Sequence, residues 1–537
     1  MTEFDFIVVG AGSAGCVLAS RLSESGRHTV LLLEAGGSDQ RFWLKLPIGY
    51  GHSFYNPQVN WMYRTAPDAG LDGREGYWPR GKVLGGSGSI NAMVFVRGQP
   101  GDFDAWEAQG NPGWGWQAVL PWFRKLEDSE QGASAWRGAG GPLRVSDVSR
   151  SVHPLCQAYL RAGVEAGFAL NPDLNGASAE GVGTYQITTR KGLRASSSTA
   201  WLRPAMKRPN LCVQTEAHAT AILFEGSRAT GVRYLQGGVS RQARARAEVI
   251  LSAGAINSPQ LLLLSGVGRA ADLQAMGLPV VADRPAVGRH LQDHLCIDHL
   301  YRSRVPTLNN QLGPWHGKLW AGLQYLAARR GPLALSVNQG GGFVRSRPGL
   351  GAPDLQLYFS PLSYLKGRPG KRELMRPDPH PGFLLGAQPC RPSSRGHVKL
   401  RSPDPLAPPL IWPNSLNTEE DRSQMLDATR MLRRLAATPA LRDVIEDELF
   451  PGAQVQSDEG LMADIRQRAS TVFHPVATCR MGPDPAQAVV NHRLQVHGLH
   501  GLRVIDASAF PSLTSGNTNA PTLMLAEKGA AMVLEDH

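Results

Sequence analysis

At 537 residues the chain exceeds what one small core organises, so two or more domains are expected, and burial on this scale needs no disulfide or metal staple. Hydrophobic residues make up 42% and charged residues 19%, an ordinary balance for a soluble globular protein, and the 60 glycines and 39 prolines suggest many tight turns rather than disorder. The formal charge of +11 is scattered without a basic block or a recognition module, which excludes nucleic acid as a partner and leaves contact with anionic lipid open.

The first elements read as a β-α-β unit. Phe6-Ile7-Val8-Val9 is an apolar run of the kind that forms a buried parallel strand. Gly10, Gly12 and Gly15 follow as G-x-G-x-x-G, and Ala14, Val17, Leu18 and Leu22 then recur at helical spacing. Gly26 closes that helix, and Thr29–Leu33 is a second buried strand ending at Glu34. No signal peptide fits this start, and no uncharged apolar stretch approaches the roughly 18 residues that span a bilayer. A cytoplasmic protein is expected, at most peripheral to the inner membrane.

Residues 37–140 are rich in Gly, Trp and Pro and predict loops and short helices wrapped on the first unit. A hairpin is expected around Leu223–Tyr234, then a strand over Glu248–Ser252. Residues 300–460 change texture, with Pro-rich turns and an alternating run at Leu355–Phe359 that suggest a largely β unit. The C-terminus returns to the first style, with a strand at Leu502–Ile505 and a helix from Pro521 to about Leu534. The six cysteines (Cys16, Cys156, Cys212, Cys296, Cys390, Cys479) lie far apart without a C-x-x-C pair, so reduced thiols and no metal site are expected.

The glycine turn carries the first functional reading. Gly10 permits the strand-to-helix turn, Gly12 lets backbone approach a pyrophosphate, and Gly15 lets helix and strand pack, which leaves a helix N-terminus facing the phosphates. Glu34, 19 residues beyond Gly15, stands where a ribose diol is bound, and an acid there disfavours a 2′-phosphate. Dinucleotide binding follows; NAD and FAD are not separated by this motif.

Four further segments separate them. Gly81–Gly98 (GKVLGGSGSINAMVFVRG), Gly254–Gly268 (GAINSPQLLLLSGVG), His474–Gly482 (HPVATCRMG) and Gly516–Thr522 (GNTNAPT) resemble, in order, the signatures of the glucose–methanol–choline oxidoreductases, nearest to bacterial choline dehydrogenases and alcohol dehydrogenases. The resemblance implies an α/β protein. A Rossmann-like FAD-binding domain (1–155, 206–300 and 466–537) would be interleaved with a substrate-binding domain (301–465, with 156–205 as a connecting segment) on a mainly antiparallel sheet with helices. It implies FAD contacts at Ser13, Ala14, Ala35, Val83, Gly86, Ser87, Asn91, Ala92, Met93 and Val94, beside Gly10, Gly12, Gly15 and Glu34. Ala219 would sit by the adenine, and Asp506, Ala507, Asn517 and Thr518 at the other end of the cofactor. Some relatives bond the flavin through a histidine just before the position of Asn91. Ile90 stands here, so the FAD is expected to be non-covalent. Gly88 replaces a serine common in the family.

Alcohol oxidation removes a hydroxyl proton and a hydride from the same carbon. The cofactor takes the hydride, and the protein supplies a base. A histidine suits proton removal near neutral pH; the resemblance selects His474 from the 15 histidines, with Pro475 restricting its backbone. Asn519 takes the partner position in this reading and also suits a cap for the helix expected from Pro521. Gln339 falls where choline-acting relatives are expected to hold an acid, which argues against choline. Phe473, with Trp315, Trp320, Phe343, Tyr358 and Phe359, is a candidate for an apolar pocket. An aliphatic or aromatic primary alcohol is the expected substrate, with a quinone-like compound as electron acceptor. Oxygen-using oxidase, choline dehydrogenase and hydroxynitrile lyase are the alternatives.

Overall fold

The computed structural model describes residues 2–364 and 376–537; part of the segment 301–465 therefore lies outside the described residues. Two sheets organise the chain. The first has seven strands, with Thr2–Val9 at its centre between Val30–Leu33 and Val239–Leu251, both parallel to it. Leu211–Gln214 extends one side in parallel. Val30–Leu33 is fully buried, as apolar runs in covered parallel strands are.

Val239–Leu251 is longer than the strand expected from residue 248 onward, at 13 residues. Its first half pairs antiparallel with Arg228–Gln236, the return arm of the hairpin begun by Ala217–Glu225. Its last three residues pair in parallel with Leu502–Val504. Between Gln242 and Arg246 exposed polar residues alternate with buried alanines, while the last four residues are all buried: Glu248, paired with Arg503, and then the apolar run Val249–Leu251. The change of pattern marks where covering layers begin.

The second sheet is antiparallel, in the order Gly340–Val344, Leu355–Ser360, Gly382–Pro389, Leu295–Ser303, Ile445–Phe450. Leu355–Ser360 alternates in sequence yet is buried at every position. Gln356 is tolerated inside because its amide bonds Gln388, Tyr185 and Asn517. Helices Leu155–Glu165 and Glu419–Ala436 cover this sheet.

The glycine turn closes on its own backbone. Gly10 has φ +95°, and a Cβ at Gly15 would stand 1.8 Å from the Gly10 carbonyl oxygen. The helix Ser13–Leu22 that follows packs beside the C-terminal helix Asn519–Glu535. That second helix begins two residues earlier than its proline suggested, so Asn519 is its first residue rather than its cap; Thr518 is the N-cap. Pro521 is accommodated in the first turn, where its missing N–H has no partner to lose.

Candidate active site

One elongated cavity runs from Glu34 on the first sheet to His474 beside the second. Gly10, Gly12, Ser13, Ala14, Glu34 and Ala35 line one end with Ala219. Gly86, Ser87, Asn91, Ala92, Met93 and Val94 line the middle; Asp506, Ala507, Asn517, Thr518, Asn519, Phe473 and His474 close the rest. Of the residues singled out in the sequence, Gly15, Val83 and Gln339 do not line it. Gly15 lies under the turn, and Val83 is fully buried. Gln339 turns away: its Oε1 accepts from the His153 N–H at 2.7 Å and from Cys156 Sγ, while its neighbour Asn338 faces the cavity. The strand that follows alternates sides, which is why one residue's difference reverses the direction.

The aromatic candidates divide in the same way. Tyr358 and Phe473 line the cavity. Phe343 and Phe359 are interior, and Trp315 and Trp320 lie on the protein surface.

The cradle fits a dinucleotide with a flat ring system. A Cβ on Gly12 would meet only one protein atom within 4 Å, the Ser252 oxygen at 3.8 Å, so this glycine keeps space open for a ligand. The 10-residue helix Ser13–Leu22 and the 17-residue helix Asn519–Glu535 both start at the cavity, and neither has a side-chain cap bond. Two sets of unsatisfied N–H groups and two positive dipole ends thus suit a pyrophosphate. Gly86 has φ +54°, and a Cβ there would strike Gly12 Cα at 2.6 Å, so the two glycine loops touch. Glu34 accepts from the Ala11 and Gly36 N–H groups at 2.9 and 2.8 Å. Burial pushes its carboxyl up to about 7 against those hydrogen bonds, and its remaining lone pairs suit hydroxyl donors. Ile90, buried and apolar, offers no nucleophile beside the Asn91 segment. Asn91 Oδ1 accepts from the Met93 N–H and from buried Arg194, which fixes the loop from below.

At the other end, tertiary packing assembles a chain of side chains. His474 Nε2 meets Asn517 Nδ2 at 3.1 Å, and His474 Nδ1 meets His294 Nδ1 at 3.0 Å. His294 Nε2 lies 2.9 Å from the Cys390 carbonyl oxygen. A carbonyl only accepts, so His294 carries its proton on Nε2 and presents a bare Nδ1. His474 must then donate from Nδ1, which leaves its Nε2 unprotonated. Asn517 agrees from the far side. Its Oδ1 accepts from Gln356 Nε2 at 3.4 Å, which turns its NH2 toward His474. Both ends of the chain select the same tautomer. Burial, with His294 and Arg80 nearby, holds His474 well below the ordinary histidine range, and burial takes His294 down to about 4. Both rings are neutral at pH 7.

The backbone at His474 is tied equally closely. Asp293 Oδ1 accepts the His474 N–H at 2.7 Å, and its other oxygen accepts from Thr471 Oγ1. Phe473 sits at φ +71°, held by its N–H on Thr471 Oγ1 and by Arg80 on its carbonyl, both at 2.7 Å. A bulky residue in the left-handed region costs of order 1–3 kcal/mol, and such strain persists where surrounding contacts impose it. Burial pushes Asp293 up to about 6.

The pairing expected of Asn519 is corrected here. Its Oδ1 accepts from Ser13 Oγ at 2.7 Å, joining the starts of the two helices, and Asn517 is the residue bonded to His474. Residues 517 and 519 straddle the helix start, so their side chains leave in different directions. Sequence reading also passed over Asp293, His294 and Arg80. The available signal was the polar Asp-His pair directly before the strand Leu295–Ser303, a costly placement unless each group is partnered.

The fold and this site define a dinucleotide-dependent oxidoreductase with a histidine base. The GMC oxidoreductase family models match residues 4–296 and 392–526, and the chain belongs to this family of FAD-dependent enzymes acting on CH–OH groups. It is 44% identical to an alcohol dehydrogenase (acceptor) of Pseudomonas putida, with 99% of this chain and 96% of the relative covered. It is also 44% identical to the mitochondrial choline dehydrogenase of Homo sapiens, covering 99% and 90%. The crystal structure of pyridoxine 4-oxidase from Mesorbium loti superposes with a TM-score of 0.89 at 31% identity, covering 99% of each chain. Among the described residues no helix is long and apolar enough to cross a membrane.

Proposed function

We propose that the protein oxidises a primary alcohol, aliphatic or aromatic, to the aldehyde and passes the electrons to a quinone-like acceptor. The observation that carries this reading is the bare Nε2 of His474 facing the cavity beside the Asn517 amide. When bound, FAD supplies the acceptor for the hydride that leaves the carbinol carbon. Gly10, Gly12 and Glu34 would hold its nucleotide half, with Gly15 letting the turn close beneath them, and the loop from Gly86 to Val94 its ring system. His474 Nε2 takes the hydroxyl proton, and Asn517 Nδ2 donates to the same oxygen as negative charge grows on it. The two groups stand 3.1 Å apart, close enough to act on one oxygen. His294 positions the base by accepting its Nδ1–H, and Asp293 and Arg80 hold the backbone of the turn. The division of the chain into cofactor segments 1–155, 206–300 and 466–537 and a substrate segment 301–465 is part of this proposal.

Tyr50, Phe54, Val337, Leu384 and Phe473 at this end of the cavity support an apolar substrate. Asp298, which also faces the cavity, favours a second reading, a cationic alcohol of the choline type. Gln339 no longer bears on that choice because it points elsewhere.

An anaerobic screen of alcohols against the flavin absorbance decides between these readings. Bleaching by primary alcohols, followed by rapid recovery with a quinone analogue and slow recovery with oxygen, is expected. Choline bleaching the flavin better than butanol or benzyl alcohol, and losing that advantage in Asp298→Asn, establishes the second reading. A flavin that stays oxidised with every alcohol refutes both and leaves a non-redox lyase on the same fold.

A further inference from the structure

The helix Trp315–Ala328 buries one narrow face and exposes a broad apolar one. Ala321 and Tyr325 pack inward, whereas Trp315, Leu319, Trp320, Leu323 and Leu326 are between 50% and 76% exposed. At about 100° per residue these five fall within one arc of roughly 140°, opposite the buried pair. The helix is about 21 Å long at 1.5 Å per residue. Scattered exposed leucines are ordinary, but a contiguous apolar face with two tryptophans on one helix marks an interaction surface.

The charges around it select the partner. From residue 299 to residue 353 the sequence contains no Asp or Glu, while Arg302, Arg304, Lys318, Arg329, Arg330, Arg345 and Arg347 are all cationic. Lys318, Arg329 and Arg330 are exposed on or just after the helix. The exposed turn Phe42–Lys45 repeats the composition with Arg41, Phe42, Trp43 and Lys45. It leads into Pro47–Gly49, which packs against Pro332–Ala334 next to the helix. Tryptophan and leucine framed by lysine and arginine suit the interface of an anionic bilayer, where rings sit at headgroup level and each nearby cation strengthens the attraction.

Beneath the helix, Ala321 and Tyr325 share one apolar cluster with Tyr50, Phe54, Val337 and partly buried Phe473, residues that also line the active-site cavity. We propose that the exposed face of the helix Trp315–Ala328 docks on an anionic lipid surface and sets the apolar end of the cavity toward the membrane. That purpose rests on the lipid-soluble acceptor proposed above, whereas docking itself is read without turnover, so the two can fail separately.

The test is flotation of the FAD-loaded protein with vesicles of phosphatidylcholine containing about one-third phosphatidylglycerol at low salt. The wild type is expected to float with these vesicles, less with phosphatidylcholine alone, and less as salt rises. A variant carrying L319Q, L323Q and L326Q is expected to float at least about tenfold less while keeping its flavin spectrum and its turnover with a water-soluble dye acceptor. A wild type that stays at the bottom of the gradient overturns the proposal, as does a variant that floats equally well. Self-association of the wild type that the variant abolishes, with no flotation, also overturns it and assigns the face to a second copy of the chain.

Discussion

Replacing Asn517 with alanine and, separately, Asn519 with alanine separates two residues that the sequence leaves equivalent. Asn517 donates toward the atom that accepts the proton, its amide held by Gln356 on the second sheet. Deleting a donor aimed at developing negative charge costs about 3–4 kcal/mol, roughly 10²–10³ in rate. Asn519 instead accepts one neutral hydrogen bond from Ser13 at 2.7 Å. Losing it costs about 0.5–1.5 kcal/mol, spread over helix docking and cofactor retention. Anaerobic stopped-flow reduction of the bound flavin at saturating alcohol reads the first effect directly. The limiting reduction rate of Asn517→Ala is expected to fall at least about 100-fold, with that of Asn519→Ala within a few-fold of wild type and its FAD bound more weakly. Equal losses in the two variants, or an Asn517→Ala enzyme reduced at the wild-type rate, refute the assignment.

Replacing His294 with phenylalanine removes the acceptor for the His474 Nδ1–H and one influence that lowers the His474 pKa. A lower kcat with little change in KM, and an acid limb of the pH–rate profile moved to higher pH, are expected. His294→Asn, whose Oδ1 can stand near the lost Nδ1, should recover much of both; no movement of the acid limb in the phenylalanine variant counts against the relay. Gly12→Ala meets only one protein atom, at 3.8 Å, whereas a Cβ at Gly15 stands 1.8 Å from the Gly10 oxygen. Apo Gly12→Ala should therefore melt like the wild type yet fail to retain FAD on gel filtration, while Gly15→Ala lowers the melting temperature even without cofactor. Burial takes His299 in the second sheet from 6.5 to about 3. Between those values the unfolded chain binds a proton that the folded chain refuses, so stability falls as pH falls through the window, by about 2 kcal/mol between pH 7 and pH 5. In His299→Phe that part of the acid sensitivity should vanish from urea titrations at the two pH values, whatever Glu34 and Asp293 contribute in the opposite direction. An unchanged pH dependence argues against a neutral buried ring.

What local chemistry dictates was legible without coordinates. The glycine turn at Gly10–Gly15, the strands on either side and the acid at Glu34 are a sterically narrow solution to holding a phosphate on a helix end, and a stretch of about 30 residues contains all of its parts. His474 was found only because its segment resembles a known signature. The hairpin before Val239–Leu251 and the antiparallel second sheet were foreshadowed by pattern, although the alternation at Leu355–Ser360 suggested one exposed face where the tertiary structure buries both.

What folding alone decided lies in relations between distant residues. Gln339 and Asn338 differ by one position, and only strand register tells which faces the cavity. Asn517 and Asn519 have the same chemistry in the same segment. The choice between them comes from Gln356 on one side and Ser13 on the other, 161 and 506 residues away in the chain. The tautomer of His474 is set by a backbone carbonyl at Cys390 acting through His294, 180 residues from the base. Propensity and spacing act over a few turns of chain, whereas the direction of a hydrogen bond depends on which groups packing brings within about 3 Å.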